Sequence, residues 1–226
     1  RPLGYEPNEL PTALPRDVCG CKDNISFLCT KLKVKYFMHK AGFVNIIGSP
    51  NVGKSTLMNS LVGEKMSIIT SKHQTTRHRI MGIVSGDDFQ IVYSDTPGVL
   101  DPNYKLQENM MKFVSSALSD ADIILFVTDI FEDDINHKET LEKIQKMTDV
   151  PVLILINKID LAKDQERMEE RVEYWAKKVP RAEVLPISAL HKANLDFVFN
   201  KIIQLLPESP AYYDKGDLTD KPLRFF

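Results

Sequence analysis

The chain has little net charge, few cysteines and no long apolar run, and each shortage removes a class of function. Of its 226 residues, 29 are Lys or Arg and 31 are Asp or Glu, leaving a net charge of −2. Such a balance gives no whole-chain signature of nucleic-acid binding. Any RNA contact must be local or lie outside this chain, and DNA is not an expected partner. The three cysteines, Cys19, Cys21 and Cys29, all stand near the start. An odd count cannot pair completely, which argues against a secreted disulfide framework. With His39 they form a set whose spacing matches no common zinc module. No apolar stretch reaches membrane-spanning length, and the N-terminus lacks the apolar core and cleavage site of a signal peptide. A reducing cytoplasm is the expected setting. What remains is ordinary: 43% hydrophobic and 27% charged residues suit a domain with a sizeable core.

The chain starts at Arg1, and residues 1–37 read as an irregular extension broken by Pro2, Pro7, Pro11 and Pro15. Met38 fits a translation start, which would make residues 1–37 foreign to the working protein. Apolar runs at 43–47, 123–127 and 152–156 predict buried strands, and 183–187 a last one. Residues 80–84 and 89–93, separated by Ser85-Gly86-Asp87-Asp88, predict a hairpin. Helices are expected at 56–62, 110–118, 137–147, 165–178 and 195–206. Strands alternating with helices need crossover connections, hence an α/β fold with a mainly parallel sheet. The expected division is an extension at 1–37, a domain at 38–206 and a proline-containing linker at 207–226.

Gly48-Ser49-Pro50-Asn51-Val52-Gly53-Lys54-Ser55, followed by Thr56, has the G-x-x-x-x-G-K-[ST] spacing between a predicted strand and a predicted helix. Glycines let backbone amides turn inward around phosphates, and the helix N-terminus adds partial positive charge. Lys54 should reach the β- and γ-phosphates and Ser55 should ligate Mg²⁺. Asn157-Lys158-Ile159-Asp160 follows the strand 152–156 and so lies on the sheet edge where α/β folds bind ligands. A carboxylate there, Asp160, can accept guanine N1–H and the exocyclic amine together. Asn157 can bond the base or brace the phosphate loop. Ser188-Ala189-Leu190, also just past a strand, would present the Ala189 amide to the guanine oxygen. In Asp95-Thr96-Pro97-Gly98, Asp95 would hold Mg²⁺ through water and the Gly98 amide would sense the γ-phosphate. The polar segment 64–78 contains Thr75 and Thr76, one of which would close on Mg²⁺ when GTP is bound, the behaviour of a switch.

These residues in this order resemble the Era family of ribosome-assembly GTPases. The resemblance is carried by the phosphate loop, by Gln74-Thr75-Thr76-Arg77-His78-Arg79, and by Leu205-Leu206-Pro207-Glu208-Ser209-Pro210 with Tyr212-Tyr213 and Leu218-Thr219-Asp220-Lys221-Pro222. It runs from about Met38 onward. It implies a Ras-like P-loop GTPase domain with a six-stranded sheet, one antiparallel strand and helices on both faces. It further implies Mg²⁺ as cofactor, GTP and GDP as ligands, and Lys54, Thr76 and Gly98 as the groups acting in hydrolysis. The same resemblance implies a role in small-subunit assembly, with small-subunit rRNA bound by a KH-type domain that this chain stops short of. Peripheral association with the inner membrane belongs to the same set of expectations. One departure from Ras-like enzymes is Val99, which stands where a glutamine orients water. Related GTPases bind K⁺ through the phosphate-loop asparagine, here Asn51, which makes K⁺ a candidate second cation.

Bland readings accompany the remaining features. The histidines His73, His78, His137 and His191 form no spaced ligand cluster, Tyr174 and Trp175 read as packing residues, and Glu132-Asp133-Asp134 as a solvated loop. Arg77 and Arg79 suit a surface or strand-start role better than an arginine finger. Two other functional classes stay open: a nucleotide-binding module with no RNA binding or regulatory output, and an ATPase or nucleotide kinase on the same loop.

Overall fold

Six strands form one sheet in the order β2-β3-β1-β4-β5-β6, and every neighbouring pair is parallel except β2 with β3. A computed structural model describes residues 39–63, 76, 79–99, 105–132, 138–162 and 165–219. Along the chain the elements are β1 (Lys40–Gly48), α1 (Lys54–Val62), β2 (Ile80–Ser85), β3 (Phe89–Asp95), α2 (Lys105–Ser119), β4 (Ile123–Asp129), α3 (Lys138–Lys146), β5 (Val152–Asn157), a 3-10 turn (Ile159–Leu161), α4 (Gln165–Lys178), β6 (Glu183–Pro186) and α5 (Leu195–Leu205). The expected α/β class, hairpin and helix order are all present. Cys19, Cys21 and Cys29 of the zinc set, Arg77, His73, His78, His137 and all of 64–78 except Thr76 lie outside the described residues.

The strand sequences explain the layering. In β5 every residue of VLILIN is buried, and in β4 all but the last of IILFVTD. Such runs fit only strands covered on both faces. Val44, Ile46, Leu125 and Leu155 pack with Leu57 and Met58 of α1 and Val198 and Ile202 of α5. Ile47, Ile124, Phe126 and Ile154 face the other way, against Val114 and Leu118 of α2, Leu141 and Ile144 of α3, and Trp175 of α4. Trp175, 1% exposed, sets its ring 5.5 Å from that of Phe126. It is a core residue, as its plain reading suggested.

Two boundaries differ from the sequence pattern. Strand β1 begins three residues earlier than its apolar run, because Lys40, Ala41 and Gly42 pair with Phe89, Gln90 and Ile91 of β3. Helix α2 starts at Lys105 rather than 110, its first turn carrying mostly exposed polar side chains that apolar periodicity does not register. Residues 207–219, the described part of the segment read as a linker, lie against the sheet. Ser209 N–H donates to His39 O at 3.1 Å and Ile83 N–H to Leu218 O at 2.8 Å. The buried Gln90 side chain accepts from the amides of Tyr212 and Tyr213 at 2.7 and 2.9 Å and donates to Tyr213 O at 2.8 Å.

Tyr93 of β3 is fully buried, and its hydroxyl has no hydrogen-bond partner among the described residues. Burial pushes its pKa far above the ordinary phenol value. An unsatisfied buried hydroxyl costs about 1–3 kcal/mol. Tyr93→Phe is therefore expected to stabilise the fold by about 1 kcal/mol in reversible denaturant unfolding. A loss of stability would show that the hydroxyl is hydrogen-bonded in solution.

Candidate functional site

The carboxyl ends of β1, β3, β4 and β5 come out along one edge of the sheet. Register makes this so: Ile46 lies opposite Asp95, Gly48 opposite Val127, and Asp129 opposite Asn157. The phosphate loop, Asp95-Thr96-Pro97-Gly98 and Asn157-Lys158-Ile159-Asp160 leave the sheet along this edge.

The phosphate loop runs from Gly48 into α1. Its only described non-glycine with positive φ is Asn51 (φ 63°), which is exposed and turns the chain back. Gly53 (φ 99°) sits against Asn157, where an added Cβ would come within 2.3 Å of the carboxamide nitrogen. No other residue fits there. The Lys54 side chain is buried across its own loop, donating to Gly48 O at 3.0 Å and Ser49 O at 2.6 Å. Burial lowers its pKa to about 8, an effect opposed by the negative charges of Asp95 and Glu132. Val52 points into the core, Pro50 is half-buried and Thr56 is half-buried in the first turn of α1. Their share in a phosphate site is therefore through backbone.

Three oxygens meet at the foot of this loop. Ser55 Oγ donates to Asp95 Oδ2 at 2.6 Å, Thr76 Oγ1 donates to the same oxygen at 3.1 Å, and the two hydroxyls lie 3.2 Å apart. Of the two threonines left open by the sequence, Thr76 stands here, buried. A carboxylate and two hydroxyls are hard oxygen donors of the kind Mg²⁺ takes alongside waters and phosphates. The set fits that ion. Among the described residues no group of three His, Cys, Asp or Glu side chains could hold a metal ion.

The turn after Asp95 is pinned to the phosphate loop. Val99 N–H donates to Gly48 O at 2.9 Å, and a Cβ on Gly98 would meet the Pro50 backbone nitrogen at 2.6 Å. Gly98 thus presents bare backbone beside the loop. Pro97 is buried, and so is Thr96. Its hydroxyl donates to Ile46 O at 2.8 Å and is committed to the sheet. Val99, 5% exposed, packs with Ile47 and Val114.

At the other end, Asn157 is a bridge. Its Nδ2 donates to Val52 O at 2.7 Å, and its Oδ1 accepts from Ala189 N–H at 2.9 Å. Of its two possible roles, the structure shows the brace. The Ala189 amide, expected to face a guanine oxygen, is here directed at Asn157 instead. Lys158, in left-handed backbone (φ 64°), pairs with Asp129 at 2.8 Å. Ile159 N–H donates to Ile187 O at 3.3 Å and so ties the 3-10 turn to the segment after β6. Asp160 accepts from Ser188 Oγ at 2.5 Å, and its other oxygen lies 3.8 Å from His191 Nε2. The carboxylate is thereby aimed while its side chain stays partly accessible. Leu190 is 72% exposed and only its backbone belongs to the loop.

Asp129 and Glu132 were not singled out as site residues. Asp129 ends an apolar strand on the same edge as Asn157, a signal equal to that of Asp95. Glu132, which accepts from Thr128 Oγ1 at 2.9 Å, acts on Lys54 only through its field. No sequence pattern announces that.

Residues 43–158 match the family described as 50S ribosome-binding GTPase. Over 189 residues the chain is 41% identical to a GTPase Era of Clostridium kluyveri, covering 83% of this chain and 64% of that protein. A GTPase Era of Staphylococcus haemolyticus is 40% identical over 187 residues, with 83% and 62% covered. The chain thus spans slightly less than two thirds of the length of these relatives. Among solved structures, Era in complex with MgGDPNP and nucleotides 1506–1542 of 16S ribosomal RNA superposes with a TM-score of 0.77 at 39% identity, covering 82% of this chain and 63% of that one. A point variant of Aquifex aeolicus Era bound to GDP·AlF4⁻ gives 0.77 at 38%, with the same coverage.

Phosphates favour the charged form of Lys54, whereas burial in the free protein disfavours it. Nucleotide binding should therefore take up about half a proton at pH 8, and affinity should fall as pH rises further. Titration calorimetry with Mg-GDP in buffers of different ionisation enthalpy measures this. Zero uptake at that pH would show Lys54 fully charged before binding.

Proposed function

Because the chain belongs to the family of 50S ribosome-binding GTPases, we propose that it binds GTP and GDP with Mg²⁺ and hydrolyses GTP to GDP and phosphate. The observation that carries this reading is the pairing of two sites on one edge. Asp160, aimed by Ser188, suits a guanine, and Asn157 ties that end to a loop holding Lys54 and the Ser55–Thr76–Asp95 oxygens. The proposed contacts follow from position. Backbone amides of 48–55 and the N-terminus of α1 surround the phosphates, and Lys54 exchanges its loop carbonyls for phosphate oxygens. Ser55, Thr76 and Asp95 would hold Mg²⁺, which when bound neutralises charge on the β- and γ-phosphates. The Gly98 amide donates toward the γ-phosphate.

The Val99 side chain has no polar atom with which to orient a water, so turnover relies on another arrangement at this position. Asn51, exposed on the loop, offers a carbonyl oxygen suited to K⁺. A monovalent cation bound there would supply positive charge where γ-phosphate charge develops.

The wider role proposed is a switch in small ribosomal subunit assembly in the cytoplasm. Its support is the likeness to an Era solved with 16S rRNA. The rRNA-contacting part is proposed to lie in the third of the relatives that this chain does not match. Residues 1–37, 38–206 and 207–226 are proposed as extension, GTPase domain and linker. No described helix is long and apolar enough to cross a membrane. Peripheral membrane association rests on the family resemblance alone. The alternative is a nucleotide-binding fragment without RNA binding or regulatory output.

Hydrolysis assayed with GTP and ATP, each in K⁺ and in Na⁺, tests the enzyme. GTP in K⁺ should turn over fastest. Equal rates in the two salts would remove the Asn51 site, and a preference for ATP would overturn the guanine assignment. Asp160→Asn should weaken GTP binding roughly 100-fold, the loss of about 3 kcal/mol of charge-assisted bonding. The same variant should favour xanthosine triphosphate, which lacks the exocyclic amine.

A further inference from the structure

Arg79 is the last residue before β2, three positions after Thr76. Its side chain is 11% exposed and lies on the sheet face that carries α2. All three guanidinium nitrogens are engaged, each by a different element. Nε donates to Ser94 Oγ of β3 at 2.6 Å, Nη2 donates to Asn45 Oδ1 of β1 at 3.0 Å, and Nη1 pairs with the carboxylate of Asp120, the residue after α2. Asn45 closes the ring, its Nδ2 donating to Ala117 O at 2.5 Å and to Asp120 Oδ1 at 3.0 Å. Asn45 and Ser94 are fully buried and stand opposite each other in the parallel pair.

Burying this much polar surface among Ile47, Ile124 and Val114 is not how a sheet gains stability. Well-packed apolar side chains of similar volume do as well or better than a buried ion pair. A planar fork satisfied at three points does something else: it fixes one backbone position. The position fixed here is the exit of the segment carrying Thr76. Three residues of extended chain span at most about 11 Å. Anchoring residue 79 therefore confines Thr76 to a small volume, and within it the hydroxyl meets Ser55 and Asp95. Asp120 ties the same anchor to α2, the helix that follows the Gly98 turn.

We propose that Arg79 is a positioning residue for Thr76: its three-way contact with Ser94, Asn45 and Asp120 holds the Thr76 hydroxyl at the metal-binding corner, and so favours triphosphate over diphosphate. The inference rests on the reading of Thr76 as a Mg²⁺ ligand in the triphosphate complex. It gives Arg79 no contact with nucleotide. Loss of the anchor leaves Lys54, Ser55 and Asp160 in place and releases Thr76, one of the groups that distinguish the two nucleotides.

The test measures affinities of GDP and of a non-hydrolysable GTP analogue, both with Mg²⁺, by calorimetry. The proteins compared are the wild type, Thr76→Ala, Arg79→Ala, Arg79→Lys, Asp120→Asn and the Thr76→Ala/Arg79→Ala double variant. Arg79→Ala should weaken the triphosphate analogue roughly tenfold and GDP less than about twofold, a coupling of ordinary size. Arg79→Lys, whose ammonium lacks the fork, should recover only part of the loss. In the Thr76→Ala background the Arg79 change should have no further effect. Asp120→Asn, at a half-exposed carboxylate, should shift the ratio in the same direction by about threefold, and it carries the test if Arg79→Ala does not fold. A merely structural arginine would lower both affinities together, or would still act in the double variant; either result overturns the proposal. If Thr76→Ala leaves the triphosphate-to-diphosphate ratio unchanged, the Thr76 reading falls and the proposal with it. If Thr76→Ala shifts the ratio and Arg79→Ala does not, only the positioning role falls.

Discussion

The bond that the rest of the edge depends on is the Asn157 carboxamide spanning Val52 O and the Ala189 amide. Phosphates and base are the two ends of one ligand, so their sites must stay a fixed distance apart while each is built on a different loop. Asn157 is 3% exposed and ends β5, a strand buried throughout, so its backbone cannot drift. From that fixed point it reaches in two directions. The phosphate loop must then offer a residue with no Cβ at 53, and the loop after β6 must turn Ala189 inward. Ser60 Oγ of α1 also bonds Ala189 O at 2.9 Å, so the base end is tied both to the phosphate loop and to the helix that follows it. A Gln or Asp at 157 would lose one of these bonds or leave a buried acceptor facing a carbonyl.

Much of this was legible in the sequence because it is local. Strands β4 and β5 announce themselves as apolar runs, and motifs at their ends must fall on one edge once the connections are crossovers. The N-K-x-D segment is weak alone, but register with the phosphate loop makes it specific. What could not be read is what depends on distance across the fold. Arg79 meets Ser94, Asn45 and Asp120 from three different elements, and none is spaced from it by any helical or strand period. Gln90 is a polar residue in an apolar strand, and only the docked 207–219 segment explains it. The first turn of α2 failed for a different reason: its side chains are mostly solvent-facing, so nothing in their hydropathy marks it.

Lys54 and Asp160 show two ways of holding charge in readiness. Lys54 is buried, held by two carbonyls and by the fields of Asp95 and Glu132, and it answers with a pKa near 8. It is a cation stabilised mainly by what has yet to bind. Asp160 instead stays partly wetted, with Ser188 fixing one oxygen and His191 near the other. Desolvation is thus concentrated at the phosphate end, where the ligand brings several negative charges to offset it. At the base end the ligand is neutral, and a fully buried carboxylate would have nothing comparable to repay it.

Strand β3 joins these two regimes with the rest of the molecule. Its carboxyl end supplies Asp95 to the oxygen cluster, Ser94 holds Arg79 on one face, and Tyr93 fills the core on the other. Its amino end supplies Gln90, whose amide is occupied by the segment after Pro207. Strand β2, paired antiparallel to it, runs from Arg79 near the oxygen cluster to Ser85 at the opposite end, with Ile83 bonded to Leu218. A two-stranded ribbon cannot slide by one residue without turning its core face outward. The pair therefore moves as a unit or not at all. Thr76 and Asp95 are held at one end of that unit through hydroxyl, carboxylate and Arg79 contacts, and 212–218 at the other through backbone and carboxamide bonds. Rigidity of that kind follows from β-sheet geometry, and it needs no contact between the two ends.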